Sequence, residues 1–359
     1  AIGNLFENIE QRGIQTGFSF LKNRAGFDIL PFLGNYVVDY TPESPNLSVF
    51  YVGLINTLVV AFFGIILSTV IGLLIGIARL SNNYLISKLA GGYIELFRNI
   101  PVLLQILFWY NLFINAFPHP KQSFSFFDIA FLNQRGLYMP KPIPEEGFIF
   151  VALSLLIGII AAYFIKKFYK KKHELTGIHT STWSYTTALV LGLPLIVYLI
   201  LGSPLQFDLA VLGKFNLKGG MTIVPEFLAL AFALSVYTAT YIAEAIRSGI
   251  EAVDKGQKEA AAAIGLSPVQ SLKLIVLPQA LRVAIPPTIN QYLNLTKNSS
   301  LATVIGYPEL MSSFGGTVLN QVGQAVEILG MAMLVYLVIS LVISLLLNYV
   351  NKKMAIQGR

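Results

Sequence analysis

The residues of this chain best suited to chemistry are few, and most lie inside hydrophobic stretches. Lys297 is followed by Asn298, Ser299 and Ser300, Glu244 follows Tyr237, Thr240 and Tyr241, and Gln105 lies just beyond Arg98, Asn99 and Pro101. Ionisable groups in apolar segments are costly and are functional candidates by default. None of these has the neighbours a catalyst needs. There is no Gly-x-x-x-x-Gly-Lys-Ser/Thr phosphate loop, and the one Gly-Lys, Gly213-Lys214, lacks both the upstream glycine and the following hydroxyl residue. Gly-x-Ser-x-Gly and His-Glu-x-x-His are absent, and His119, His173 and His179 are scattered without ligand spacing. With no cysteine, disulfides, thiol catalysis and Cys-ligated metals are excluded. A membrane-embedded enzyme therefore has no candidate nucleophile or metal cluster, and no cofactor site is expected in this chain.

What must position these residues is a set of membrane helices. Across 359 residues the chain is 55% hydrophobic and 12% charged, and its mean hydropathy is +0.67; a chain of this kind dissolves mainly in lipid. Apolar runs long enough to span a bilayer fall at about 51–78, 93–117, 148–168, 184–203, 225–247, 280–306 and 327–350. Seven spans are expected, in an all-α polytopic bundle. The second is interrupted by Arg98 and Pro101 and the sixth by Pro286, Pro287 and Lys297, as suits segments buried against protein or lining a cavity. The net charge of +7 sits in short clusters between the runs, so it orients the chain and does not form a nucleic-acid-binding face. Sixteen lysines and arginines fall on one side and eight on the other. The positive-inside rule puts the sixteen in the cytoplasm, with Ala1 outside and Arg359 inside. Residues 1–48 then form an extracytoplasmic or interfacial segment, with an amphipathic interfacial helix over 1–30. Residues 49–350 are the transmembrane domain and 351–359 a cytoplasmic tail. The outer loop 118–147, rich in proline and aromatics, reads as a docking surface or outer gate, or else as a lid lying on the membrane. The tract 166–173, KKFYKKKH, reads most simply as a stop-transfer signal, with an anionic-lipid site as the alternative.

One polar, alanine-rich island interrupts this pattern, from Glu251 to Pro287 within a cytoplasmic loop over 248–282. Asp254 with Gln257 predicts a capping box that starts a helix through Glu259 and the alanines. Gly265 ends it, and Ser267-Pro268 starts a second helix running to about Val276, where Pro278 redirects the chain. Ala260 to Ala263 present almost no side chain, so this surface can enter a groove on another protein with little entropy loss.

Within the island, Glu259-Ala260-Ala261, Gly265, Ile275 and Leu277-Pro278 keep the spacing EAA-x3-G-x9-I-x-L-P. This resembles the signature cytoplasmic loop of ABC-importer permease subunits. Residues 237–249 and 277–301 are similar to the polar-amino-acid, HisM/HisQ-like branch. Arg12 to Phe18 (RGIQTGF) and Ile94 to Pro101 (IELFRNIP) resemble the broad-specificity L-amino-acid permeases of the Aap and Bzt type. The resemblance implies the type I importer permease fold in the bacterial inner membrane, with an eighth span if one precedes Ala1. It implies a related second permease completing a heterodimer, and an external binding protein that delivers an amino acid. It also implies two ATPase subunits that bind ATP and Mg and grip the coupling loops. Glu259, Ala260, Ala261, Gly265, Ile275, Leu277 and Pro278 are then the coupling residues.

The tentative substrate path is Gln105, Thr240, Glu244, Lys297, Asn298 and Ser299. Glu244 either pairs with Arg247 three residues on or meets substrate. Lys297 either holds a substrate carboxylate, pairs with Glu244 or Glu309, or snorkels outward. Gln105 either faces a cavity or is polar glue between helices. The rival to an ATP-driven importer is an ion-gradient-driven secondary transporter, which predicts deep acidic or proton-relay residues and no coupling loop.

Overall fold

The structure is a computed structural model that describes residues 16–177, 180–213 and 217–354. His179, Lys214, Arg359 and the motif residues Arg12 to Gln15 lie outside the described residues. In chain order the main helices are α1 (Asn46–Arg79), α2 (Tyr84–Asn99), α3 (Val102–Ala116), α4 (Phe148–Thr176) and α5 (Trp183–Ile200). They continue as α6 (Pro225–Glu251), α7 (Lys255–Ala263), α8 (Pro268–Ile305), α9 (311–322) and α10 (Ala325–Met354). Six of them, α1, α4, α5, α6, α8 and α10, are long and apolar enough to cross a membrane.

The expected second span is instead a pair of helices, α2 and α3, bent by 103°. Pro101 opens α3, and Ile100 before it is extended at φ −90° and ψ 126°. The proline ring disfavours helical backbone at the residue it follows. At ~1.5 Å per residue α3 reaches only ~22 Å, short of a bilayer's ~30 Å hydrocarbon core.

The chain divides into two compact units, one of residues 1–123, 132–137 and 222–359, the other of 124–131 and 138–221. The first is built on α1 and α6. On α1, Gly64, Ser68, Gly72 and Gly76 recur every fourth residue and are all buried. Such a stripe lets two helix backbones approach closely, which is how helices associate where lipid removes the hydrophobic drive. A Cβ on Gly72 would sit 2.7 Å from Cβ of Ile242 and 3.1 Å from the Ala239 carbonyl on α6. The facing stretch of α6, from Ala229 to Ala245, is largely buried alanine, serine and threonine.

The interfacial helix expected over 1–30 is not what the described part of that segment forms. Residues 16–30 contain one short turn, Ser19–Lys22, and are otherwise irregular, with Gly17 and Gly26 at positive φ. The segment packs into the bundle: Phe20, Ala25, Ile29 and Phe32 are buried. Phe20 lies on Phe314, and Phe32 on Phe227 and Tyr307. The backbone N of Gly17 donates to Glu327 Oε1 at 2.7 Å, and Asn46 Nδ2 to the Phe20 carbonyl at 3.0 Å. Of the aromatic residues that made the segment look amphipathic, Phe20 is a core residue and Phe18 is exposed.

The second unit is a helical hairpin with short strands at its outer end. Strand β1 (Lys141–Pro144) pairs antiparallel with β2 (Leu205–Asp208), and β3 (Val211–Leu212) with β4 (Leu217–Lys218). Ser154, Gly158 and Ala162 form the buried seam of α4. At Gly158 the α5 backbone comes so close that a Cβ would meet the Leu189 carbonyl at 2.5 Å. Leu189 lies in a π-helical stretch of α5, Ala188–Gly192.

Gly72→Val is expected to lower the melting temperature of the detergent-solubilised protein by several degrees, because its side chain collides with α6. Gly92→Val, at a position where a Cβ meets nothing within 4 Å, is the control and should shift it little; differential scanning fluorimetry compares the two.

Candidate functional site

The island begins where α6 ends. Arg247 in the last turns of α6 bonds Glu244 through Nε, at 3.2 Å to each carboxylate oxygen, and pairs with Glu251 through Nη1. Of the two readings of Glu244, the structure therefore has the local pair. Arg98 at the end of α2 stacks over the Tyr241 ring, 5.2 Å from its centroid, so the inner ends of α2 and α6 are joined by a cation–π contact.

Asp254 caps α7, its Oδ1 accepting from the Gly256 N–H at 2.6 Å. The reciprocal box expected there with Gln257 forms instead at the next helix start. The Ser267 hydroxyl accepts from Gln270 N, while Ser267 N donates to Gln270 Oε1 at 2.9 Å. Between the two helices Gly265 takes φ +78°, the left-handed conformation that glycine adopts without cost. The Leu266 and Gly265 N–H groups close the end of α7 on the Ala261 and Ala262 carbonyls, the pattern of a Schellman cap. Glu259, Ala260 and Gly265 are exposed, Ala261 is buried, and Ile275 and Pro278 are half-buried. Beside them Ile264, Val269 and Leu274 leave large apolar side chains uncovered, at 75%, 71% and 61% exposure.

Pro278 does not redirect the chain. Leu272–Val276 is π-helical and runs without a break into the rest of α8. A proline deprives one carbonyl of its N–H partner and crowds it, and a wider π turn is one way a helix absorbs this without stopping. The same continuous helix carries Pro286 and Pro287 and then Lys297.

Lys297 opens onto a cavity of about 470 Å³, lined also by Ser300, Thr303, Met311, Gly315, Gly316 and Tyr336. Neither carboxylate considered for it is its partner: Glu244 is on Arg247, and Glu309 is otherwise engaged. Glu309 lies in the turn between α8 and α9, outside the spanning helices and fully buried. It accepts from Met311 N at 2.9 Å, Ser312 N at 2.6 Å and the Tyr336 hydroxyl at 2.8 Å, so it caps the start of α9. Burial pushes its carboxyl up, against hydrogen bonds that pull it down. The hydroxyls of Ser300 and Thr303 donate to the Lys297 and Ser300 carbonyls. With their hydrogens engaged, the lining hydroxyl oxygens are left to act as acceptors.

The other tentative path residues are not on the cavity wall. Gln105 is buried, its Nε2 donating to the Phe97 and Ile100 carbonyls at 2.7 and 2.9 Å, so it clasps the α2–α3 bend. Thr240 and Ser299 are buried and turned back on carbonyls of their own helices, and Asn298 is half-buried beside them. The residues sequence reasoning missed are Thr303, Tyr336 and the pair Gly315-Gly316. Only the pair carries a local signal, as two adjacent glycines within the helical stretch MSSFGGTV.

The family model described as "Binding-protein-dependent transport system inner membrane component" matches residues 154–356. The chain belongs to this family. It is a multi-pass permease of the bacterial inner membrane. Over 99% of its length the permease is 48% identical to the "Putative amino-acid ABC transporter permease protein YhdX" of Escherichia coli, covering 90% of that protein. It is equally identical, over 99% of its length and 88% of the relative, to the "General L-amino acid transport system permease protein AapQ" of Rhizobium johnstonii. It is 37% identical to the "Glutamate/glutamine/aspartate/asparagine transport system permease protein BztB" of Rhodobacter capsulatus, covering 90% of that chain. The solved structure titled "Crystal structure of an amino acid ABC transporter with histidines" shares the fold, with a TM-score of 0.50 at 20% identity over 91% of the permease and all of that chain. The ABC-importer permease reading thus holds, and the secondary-transporter alternative is not favoured.

Gln105→Leu should leave two buried carbonyls without a partner and destabilise the permease by about 1–3 kcal/mol. The half-saturation concentration for transported substrate should stay unchanged. Denaturation and uptake curves measured on the same variant check both.

Proposed function

We propose that this permease is one half of the translocation path of an ATP-driven amino-acid importer and that its island over 251–287 receives the stroke of separate ATPase chains. The observation that carries the proposal is the continuity of α8: one helix of 38 residues starts in the island and ends beyond Lys297. From Pro268 to Lys297 it extends ~43 Å at ~1.5 Å per residue. Displacing its inner end therefore moves the cavity wall as a rigid body, the kind of two-state change that switches access between membrane faces. The exposed EAA helix, the Gly265 turn and the uncovered Ile264, Val269 and Leu274 form the contact surface for an ATPase. ATP and Mg would be bound there, on the partner, since this chain has no phosphate loop. A second, related permease, a pair of ATPases and an extracytoplasmic binding protein complete the assembly.

An amino acid suits the cavity chemically. Lys297 offers its α-carboxylate a cation, and the hydroxyl oxygens of Ser300, Thr303 and Tyr336 offer acceptors to its α-ammonium group. Gly315 and Gly316 leave room for the side chain without selecting it. The names of the relatives, general L-amino-acid, glutamate and glutamine permeases among them, support the same substrate class.

In proteoliposomes holding the complete assembly, amino-acid uptake should require internal ATP and survive collapse of ion gradients; gradient-driven uptake without ATP overturns the reading. Gly265→Pro demands φ near −65° where the chain has +78°, and Glu259→Lys reverses the charge on the exposed helix. Each should reduce substrate-stimulated ATP hydrolysis and uptake at least tenfold while membrane insertion remains normal. Lys297→Met should raise the half-saturation concentration for uptake by tenfold or more and leave basal ATP hydrolysis intact.

A further inference from the structure

The second unit carries a basic surface apart from the island and the cavity. Helix α4 is unbroken from Phe148 to Thr176, but only its first eighteen residues, 148–165, are apolar. At ~1.5 Å per residue they span ~27 Å, about the thickness of the hydrocarbon core. The remaining turns carry Lys166, Lys167, Lys170, Lys171 and Lys172, all exposed, and project beyond the core into the headgroup zone.

At 100° per residue, Lys166, Lys167, Lys170 and Lys171 fall within a single arc of about 140°. Leu156, Ile159, Ile160 and Tyr163 lie along the same arc one to three turns deeper, each about half exposed or more. The opposite side of the helix holds the seam of Ser154, Gly158 and Ala162 that meets α5. The outward face thus reads, from the middle of the membrane to its inner edge, as aliphatic, then tyrosine, then four ammonium groups. That order matches the chains, ester region and phosphate of a lipid.

Charge supplies the argument for which lipid. Lys166–Lys170 and Lys167–Lys171 are like-charge pairs one turn apart and destabilise the helix unless a counter-charge is present. The one carboxylate of the tract, Glu174, lies 3.9 Å from Lys170, and no ion pair forms at Lys166, Lys167 or Lys171 among the described residues. Trp183, 75% exposed, and Tyr185 begin α5 just across the link 177–182, at the same membrane edge, where aromatic rings anchor helices.

We propose that the outward face of α4 binds anionic phospholipid headgroups of the inner leaflet through Lys166, Lys167, Lys170 and Lys171, with the acyl chains against Leu156, Ile159 and Ile160. The test uses the purified complete assembly in nanodiscs of equal phosphatidylglycerol and phosphatidylcholine, with the retained lipids counted by native mass spectrometry after release. Phosphatidylglycerol should be enriched at least threefold over phosphatidylcholine. Replacing all four lysines with glutamine should abolish the enrichment, and replacing all four with arginine should preserve it. Because the glutamine variant can insert wrongly, the unaltered protein is also measured across salt. The enrichment should fall several-fold between 0.05 and 0.5 M sodium chloride, as it must for a screened surface contact (roughly 10 Å screening length at 0.1 M). Equal retention of both lipids, or enrichment that ignores salt or survives in a correctly inserted glutamine variant, overturns the proposal. Displacement of the lipid by millimolar inorganic phosphate overturns it in favour of a free-phosphate site.

Discussion

The first unit hangs on the amide of Asn56. Fully buried on α1, it accepts from the Gly34 N–H at 2.9 Å and donates to the Pro308 carbonyl at 2.9 Å. Its own carbonyl takes the Tyr307 hydroxyl at 3.0 Å, and the next residue, Thr57, accepts from Leu310 N at 3.1 Å. One turn of one helix therefore satisfies a first-turn N–H of the short helix Leu33–Val38 and the backbone of the turn between α8 and α9. Where lipid offers no water to replace them, such polar groups must be satisfied by protein. The helix Leu33–Val38 can begin, and the turn between α8 and α9 can stay non-helical, because Asn56 and Thr57 serve their backbone groups. That turn in turn holds Glu309, the cap of α9 and the partner of Tyr336 on the cavity wall.

A second constraint is steric. The close approach of α1 to α6 at Gly72 recurs where α6 meets α8: a Cβ on Gly249 would lie 2.6 Å from the Ala280 carbonyl. Helices meeting backbone to backbone have little freedom to deform locally, so force on α8 is shared with α6. The coupling surface is the opposite case, with bulky exposed apolar groups and a glycine turn set on small residues. The bundle is thus tightest where helix backbones touch and least covered at its inner end.

Much of this was legible in the sequence. Six of the seven expected spans, the two-helix island, the left-handed break at Gly265 and one of the two readings of Glu244 follow from apolar length, cap chemistry and spacing, all of which are local. What was not legible is tertiary. Pro101 announced an interruption, but the 103° bend depends on Gln105 reaching back to the carbonyls it exposes. Phe20 reads the same in the sequence whether it faces lipid headgroups or, as it does, Phe314. Asn56 is a lone amide in an apolar run with no period to mark it. The stripe Gly64, Ser68, Gly72, Gly76 was there to be read, at four-residue spacing, but a stripe of small residues does not say which helix it meets.

The π turn at Leu272–Val276 has a consequence in register. A π turn accommodates one residue more than an α turn, so everything beyond it is rotated by about 100° relative to an uninterrupted helix. A helical wheel drawn straight from Pro268 through α8 therefore assigns Lys297 to the wrong face. The single extra residue works as an indexing step: it sets the face presented by the inner end independently of the outer end, where Lys297 meets the cavity. Removing one residue from this stretch would cost a single side chain and swing the lysine by about that same 100°.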